Sequence, residues 1–283
     1  MSGRAGIEQR FQRLREISGI MTAMKSLSLV ETRKLARFIG HQQRMLATIE
    51  AAASDFLHFF QAQGASETES AILLLVGSER GFCGSFNGRI LAALQELPPS
   101  EPVPRLLVVG GRLRGKLESH PDVLATLDGP TVTEDVPAVL DRLMDALHAA
   151  HQQLAGDGIA LHALAHDAEG EPRLKRLLPL SPPKGPRFGH PPRLQLRPAE
   201  FFAQMLDHYL LAALYGVLYD SLAAENRRRL EHMEHALNRL DETVARLAVK
   251  RNALRQEEIV EEIEIIMLSA EALQTSPGTD ERC

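Results

Sequence analysis

The chain has 283 residues, 24% of them charged, and a net charge of −5. That acidic balance argues against bulk nucleic-acid binding, and an aromatic content of 5% with no tryptophan suits helical packing better than a ligand pocket. Its two cysteines, Cys83 and Cys283, are no disulfide framework and fit a reducing compartment.

The first element, over residues 1–62, reads as one long helix. Ile7, Phe11, Leu14, Ile17, Met21, Met24 and then Leu27 or Ser28 recur at three- and four-residue spacing, with Glu8, Arg10, Arg13, Arg15 and Glu16 between them. The pattern continues less cleanly through Leu35, Phe38, Ile39, Met45, Leu46, Ile49 and Phe56. Gly19 and Gly40 are soft spots, each costing about 1 kcal/mol relative to alanine, and Gly19 is expected to admit a close backbone. The opening MSGRAGIEQRFQ has no apolar core for secretion and runs straight into the helix, so no separate transit segment is expected.

Residues 70–196 read as an α/β domain. Ala71–Val76 is a buried-strand pattern, followed by the glycine-rich GSERGFCGSFNG and the helical RILAALQEL. A linker over Pro98–Pro104 leads to a second strand, Arg105–Val109, and a basic helix, RLRGKLESH. Pro137–Leu154 reads as an amphipathic helix, Ile159–Ala165 as a third strand and Leu174–Leu180 as a fourth. Strands alternating with helices imply βαβ units and a mostly parallel, Rossmann-like sheet. Ser181–Pro192, with five prolines, reads as an exposed loop.

Residues 198–275 return to helix. Leu230, Met233, Leu237, Leu240, Val244, Leu247 and Leu254 form a heptad seam, and no Pro or Gly interrupts the run from Ala223 until Pro277. A helix this long needs a partner along its length, and the N-terminal helix is the simplest one. The expected fold is therefore a long antiparallel coiled coil of the two terminal helices plus an α/β domain. The seam breaks at Arg255, Gln256, Glu257 and Glu258, and the apolar face resumes, shifted, at Ile259, Ile263, Ile266, Ala270 and Leu273. Beyond the break the helix is expected to leave its partner and meet something else.

Other chemistries compete here with plainer structural readings. The glycine-rich turn sits where phosphates bind in α/β folds. It fits neither G-x-x-x-x-G-K-[ST] nor G-x-G-x-x-G, and it places Glu79 where an anion would approach. Cys83 could be a nucleophile near Arg80, but it has no local histidine and reads better as a small packed residue. The eleven histidines show no metal pattern. Glu257, Glu258, Glu261, Glu262 and Glu264 could hold a divalent cation, although such a cluster more often is a solvated face or meets basic partners. No apolar run is expected to reach the length of about 18 residues that spans a membrane, so membrane association would come through partners.

Three stretches, in order, resemble the gamma subunit family of F-type ATP synthases. Ile20–Lys34, IMTAMKSLSLVETRK, is similar to the family's ITKAMKMVAASKLRK, and Ser78–Asn87, SERGFCGSFN, to SDRGLCGGFN. From Ser221, SLAAENRRRLEHMEHALNRLDETVARLAVKRNALRQEEIVEEIEII resembles the family's long C-terminal helix. The resemblance spans essentially the whole chain, and the termini are its specific part. It implies a central-stalk rotor, one copy per complex. The terminal helices would turn inside a ring of alpha and beta subunits, with the α/β domain on the membrane ring of c subunits beside the epsilon subunit. It also implies no cofactor and no catalytic residue in this chain, ATP chemistry lying in beta. An apolar tip at Ile263, Ile265, Ile266, Met267 and Leu268 suits a shaft end turning in a collar.

Residue by residue, the resemblance places Met24, Lys25 and Arg229 at the beta subunit's lever, with Arg227, Arg228 and Arg229 facing its acidic charge. It places Arg255 and Gln256 at a beta-subunit loop and matches Glu262 to the family's glutamate. The chain departs from the pattern at Glu257 and Glu258, where small residues are usual. It also departs at Val260, Glu261, Ser26 and Glu31, the last standing where the family motif has lysine. The α/β domain lacks the cysteine pair of thiol-switched chloroplast relatives. The expected setting is a bacterial inner membrane, peripheral on its cytoplasmic side, with proton or sodium as the coupling ion. The alternatives are a coiled-coil adaptor tethering a ligand-binding α/β domain, and an enzyme using Cys83 or the glycine-rich turn.

Overall fold

Hydrophobic periods near 3.5 at the two ends and runs of buried-strand type in the middle become long helices and a sheet. The computed structural model describes residues 2–60, 70–98, 103–154, 159–180 and 189–274. Most of the expected Ser181–Pro192 loop, the centre of the Pro98–Pro104 linker, and Cys283 lie outside the described residues. The elements are α1 (Ser2–Phe59), β1 (Ser70–Val76), α2 (Phe86–Gln95), β2 (Arg105–Val109), α3 (Gly111–Leu117), β3 (Val123–Leu127), α4 (Val136–Leu154), β4 (Ile159–His166), β5 (Pro172–Leu178) and α5 (Pro198–Gln274).

The chain divides into two units, Met1–Met24 with Met233–Cys283, and Lys25–His232. In the first, the expected seam is buried or half-buried except at Ile17, which is exposed. Phe11, Met21 and Met233 are buried, and Leu237, Leu240, Val244, Leu247 and Leu254 are half-buried between exposed polar residues. The Phe11 ring lies under the guanidinium groups of Arg251 at 4.7 Å and Arg15 at 5.1 Å, and Glu8 pairs with Arg251 at 3.6 Å. An aromatic face close to two cations gains from its negative quadrupole in addition to its buried area. Gly19 does not admit a close backbone: a Cβ there would meet nothing within 4 Å. Past the break, Ile259, Ile263, Ile265, Ile266, Met267 and Leu268 are all exposed.

In the second unit, α1 and α5 run antiparallel. Phe56 packs against Phe201 and Phe202, Gln42 donates to the Ala212 carbonyl at 2.8 Å, and Phe38 stacks on Tyr219. At the open choice between Leu27 and Ser28, the helix turns Ser28 inward and leaves Leu27 exposed. The five-stranded sheet has the order β3-β2-β1-β4-β5, and every pairing but the last is parallel. Side chains alternate across the sheet. Ile72, Leu74 and Val76 face α1, α4 and α5, whereas Leu73 and Leu75 face α2 and α3. A parallel sheet covered on both faces explains why β1 is a continuous apolar run.

Two strands differ from expectation. β3 has no counterpart in the sequence pattern; its five residues end against Asp128-Gly129-Pro130. β5 spans Pro172–Leu178 and is antiparallel to β4. A tight turn from Asp167 to Glu171, with Gly170 at φ 85°, folds it straight back. By length and composition α5 contains a stretch apolar enough to cross a membrane, contrary to expectation. Its apolar residues Tyr209, Ala213, Leu214, Val217, Leu218 and Leu222 lie buried in the sheet's core.

Candidate functional site

The glycine-rich turn follows β1 and is closed by its own side chains. Ser78 N–H donates to Asn87 Oδ1 at 2.9 Å, while Asn87 Nδ2 and the Cys83 thiol both donate to Ser78 Oγ. Burial pushes the Cys83 thiol above its ordinary value, so it is a packed thiol rather than a reactive thiolate. The turn passes close to the next crossover: Gly110 has φ 110°, and a Cβ there would stand 2.6 Å from the Gly77 carbonyl oxygen. Only glycine fits.

The crevice beyond the carboxyl ends of the strands is where an α/β sheet ordinarily holds a phosphate. Here Glu79 fills it. Its Oε2 accepts from the Gly111 N–H at 2.8 Å and the Gly129 N–H at 2.7 Å, joining the loops after β2 and β3. The amides that would cradle an anion are taken by the chain's own carboxylate. Among the described residues, no group of three or more His, Cys, Asp or Glu side chains is placed to hold a metal.

Behind the turn, α5 carries a buried ion pair, Glu225 with Arg229. Arg229 also donates to Asn226 Oδ1 and, through Nε, to the Gly81 carbonyl at 3.2 Å; Glu225 accepts from the backbone of Glu79 and Arg80. This support holds Phe82 outward at φ 63°, a left-handed conformation costly for an aromatic residue, with 54% of it exposed.

The expected contact residues fall into different environments. Met24, in the first unit, and Lys25, in the second, are half-buried. Arg255, Gln256 and Glu262 are exposed on α5 beside the uncovered apolar tip, and Arg255 and Glu262, seven residues apart, share a helix face. Arg229 is turned inward in this chain, with only 4% exposed. Its neighbours also engage this chain: Arg227 donates to the Ala168 carbonyl, and Arg228 pairs with Glu231 at 3.2 Å. The reading of the sequence missed Glu225 and Phe82. The available signal was Leu222-Ala223-Ala224 directly before Glu225, small apolar residues that let another backbone approach this part of the helix.

The chain combines an α/β body, whose crevice amides are taken by Glu79, with long paired helices that end in an exposed apolar tip. The chain belongs to the ATP synthase family, whose model matches residues 4–273. It is similar to the ATP synthase gamma chain of Lachnoclostridium phytofermentans, 22% identical over 96% of this chain and 100% of the relative. It is also similar to that of Saccharopolyspora erythraea, 27% identical over 72% of this chain and 74% of the relative. The fold matches a chain of the Euglena gracilis mitochondrial ATP synthase with a TM-score of 0.67, at 14% identity over 100% of this chain and 99% of that one. A chain of that synthase's rotor matches at 0.65, with 11% identity over 91% and 99%.

Proposed function

We propose that the chain is the gamma-type, central-stalk rotor subunit of an F-type ion-translocating ATP synthase. It couples rotation of the membrane ring of c subunits to conformational change at the catalytic sites of the beta subunits. The observation that carries this reading is the family match along nearly the whole chain, on two uninterrupted helices of 58 and 77 residues. Its partners are the alpha and beta subunits of the catalytic ring, the epsilon subunit and the c ring, with one copy per complex. A single asymmetric rotor cannot touch three identical subunits alike. Each angle favours a different conformation at each site, which is a coupling free energy between rotor position and nucleotide affinity.

The subunit is non-catalytic on this reading, supported by the Glu79-filled crevice and the buried Cys83. Met24, Lys25, Arg255, Gln256 and Glu262 contact the ring, and Arg229 serves it indirectly by holding the glycine-rich turn. The working parts are α1, the α/β foot between the terminal helices, and α5. The setting is the cytoplasmic face of a bacterial inner membrane, supported by the bacterial origin of the gamma-chain relatives. The test is purification of the tagged chain from its native membranes with an ATPase assay. Co-purifying alpha- and beta-type subunits with ATP hydrolysis are expected. A clean homodimer without them would overturn the reading in favour of a coiled-coil adaptor.

A further inference from the structure

A rotor passes torque only if its helices cannot twist against the body that drives them. α5 follows the α/β body in the chain, and the helix face of α1 that meets α4 has two kinds of contact. Leu35 is fully buried in the core that contains Val136, Val139 and Leu140 of α4. Apolar contact of this kind has no preferred direction and does not by itself fix the angle of the helix. One turn earlier on the same face stands Glu31. Its Oε2 accepts from both the N–H and the hydroxyl of Thr133, at 3.1 and 2.9 Å, across 102 positions of sequence. Its Oε1 takes Lys34 Nζ at 3.1 Å, and Lys34 reaches on to Glu134 at 3.0 Å.

The receiving segment is itself fixed. Asp135 Oδ2 accepts from Thr131 N–H, Thr131 Oγ1 and Val132 N–H at 3.0, 2.6 and 3.2 Å, and Thr133 is buried. A carboxylate on one helix therefore grips the braced first turn leading into another. Hydrogen bonds are directional. A twist of about 20° carries a side-chain tip lying roughly 5–6 Å from the axis through about 2 Å, more than such a bond tolerates. Partial burial pushes the Glu31 carboxyl up, but the bonds from Thr133 and Lys34 outweigh it and hold it below the ordinary value, so the grip stays ionised at neutral pH.

We propose that Glu31 is a torsional lock: through Thr133 it fixes α1 to the start of α4, so that torque on the α/β body enters the N-terminal helix without slip. The lock rests on the rotor reading. It gives a positioning role to a residue that stands as glutamate where the resembled motif has lysine.

The test uses the assembled complex in inverted membrane vesicles, comparing ATP-driven ion pumping with ATP hydrolysis for wild type, Glu31→Ala, Thr133→Val and Lys34→Ala. Glu31→Ala should retain ATP hydrolysis and lose pumping per ATP, and Thr133→Val, which removes the hydroxyl bond but keeps the Thr133 N–H bond to Glu31, should lose a smaller but measurable share of it. Hydrogen exchange in the Thr133 segment should quicken roughly tenfold in Glu31→Ala. Lys34→Ala should change less, because Lys34 and its pair with Glu134 are solvent-exposed and the Thr133 bonds to Glu31 remain. Thr133→Val keeps the side-chain shape and decides the matter if Glu31→Ala fails to assemble. An unchanged pumping ratio in Thr133→Val, and in Glu31→Ala where it assembles, overturns the lock while leaving the rotor intact. Wild-type vesicles in which the chain joins no ATP-hydrolysing ring overturn the rotor reading and the lock with it.

Discussion

Arg229 donates from Nε to the carbonyl oxygen of Gly81 at 3.2 Å, joining α5 to a turn 148 positions earlier in the chain. The bond is available because Glu225, one helical turn back, neutralises the guanidinium where both are buried. Burial pushes the Glu225 carboxyl above its ordinary value, against the pull of Arg229 and the turn's backbone amides. Removing one partner strands the other charge. Arg229→Ala should therefore cost about 3–5 kcal/mol, and the apolar pair Glu225→Leu with Arg229→Met considerably less. Urea unfolding of the isolated chain measures both, and equal losses in the single and double variants would count against the charge argument.

Asp220 lines a small cavity with Gln42, Gln43, Lys175 and Tyr219. Burial raises its carboxyl from 3.8 to about 6, with Lys175 opposing and Asp167 and Glu169 assisting. A raised acid favours the protonated form in the native state, which between these values binds more protons than the unfolded chain. Its destabilisation is fully present above pH 6 and is relieved as pH falls toward 4. Asp220→Asn should be more stable than wild type by about 1 kcal/mol at pH 7.5, after allowing for solvent screening, with the gain gone at pH 4. Chemical denaturation across that range reads the slope directly.

His166 has the opposite sign. It is buried against the Phe86 ring, and neither ring nitrogen has a hydrogen-bond partner. Burial first, then Arg89 and Arg228, lowers it from 6.5 to about 4. The unfolded chain binds the extra proton between these values, so this contribution is intact above pH 6.5 and is lost as pH falls toward 4. His166→Leu should remove that acid loss and stabilise the fold by about 1 kcal/mol at neutral pH, since an unpartnered polar ring leaves the core. A thermal melt at pH 5 as sensitive to acid as wild type would refute it.

How far the sequence reveals this architecture depends on the scale at which each feature is encoded. The long helices repeat their signal over many heptads, so single ambiguities such as Leu27 against Ser28 did not matter. β3 offers only VLATL, and its identity comes from pairing with β2. The direction of β5 is set by the turn at Asp167–Glu171, not by its composition. The Glu225–Arg229 pair has the i,i+4 spacing typical of a solvated helix face. Only the glycine-rich turn, folded over it from far away in sequence, makes it a buried support. Glu79 was legible as an obstacle to anions, although its two backbone partners were not.

Because Glu79 supplies the crevice with its anion, removing it should loosen the loops rather than open a nucleotide site. Glu79→Ala leaves the Gly111 and Gly129 amides without their acceptor, an expected cost of about 2 kcal/mol. Wild-type chain should show no change in melting temperature with millimolar ATP or phosphate. A rise of several degrees would mean that the carboxylate yields its place and that the α/β body binds nucleotide after all.

The seam break makes the final separation, between folding and coupling. Glu257 is exposed, and Glu258, four residues after Leu254 at the next seam position, is half-buried where the seam has turned charged. Replacing both with alanine leaves Phe11, Met21 and Met233 untouched and raises helix propensity slightly, so the melting of the isolated chain should shift by less than about 0.5 kcal/mol. In the assembled complex the same change removes two negative charges beside Arg255 and Gln256, where the ring is proposed to touch. ATP hydrolysis or its coupling to pumping should therefore change, and the change should shrink at high salt, because exposed charges are screened. A double variant that melts early with unaltered coupling would make these glutamates part of the fold and leave the ring contact to the apolar tip from Ile259 to Leu268.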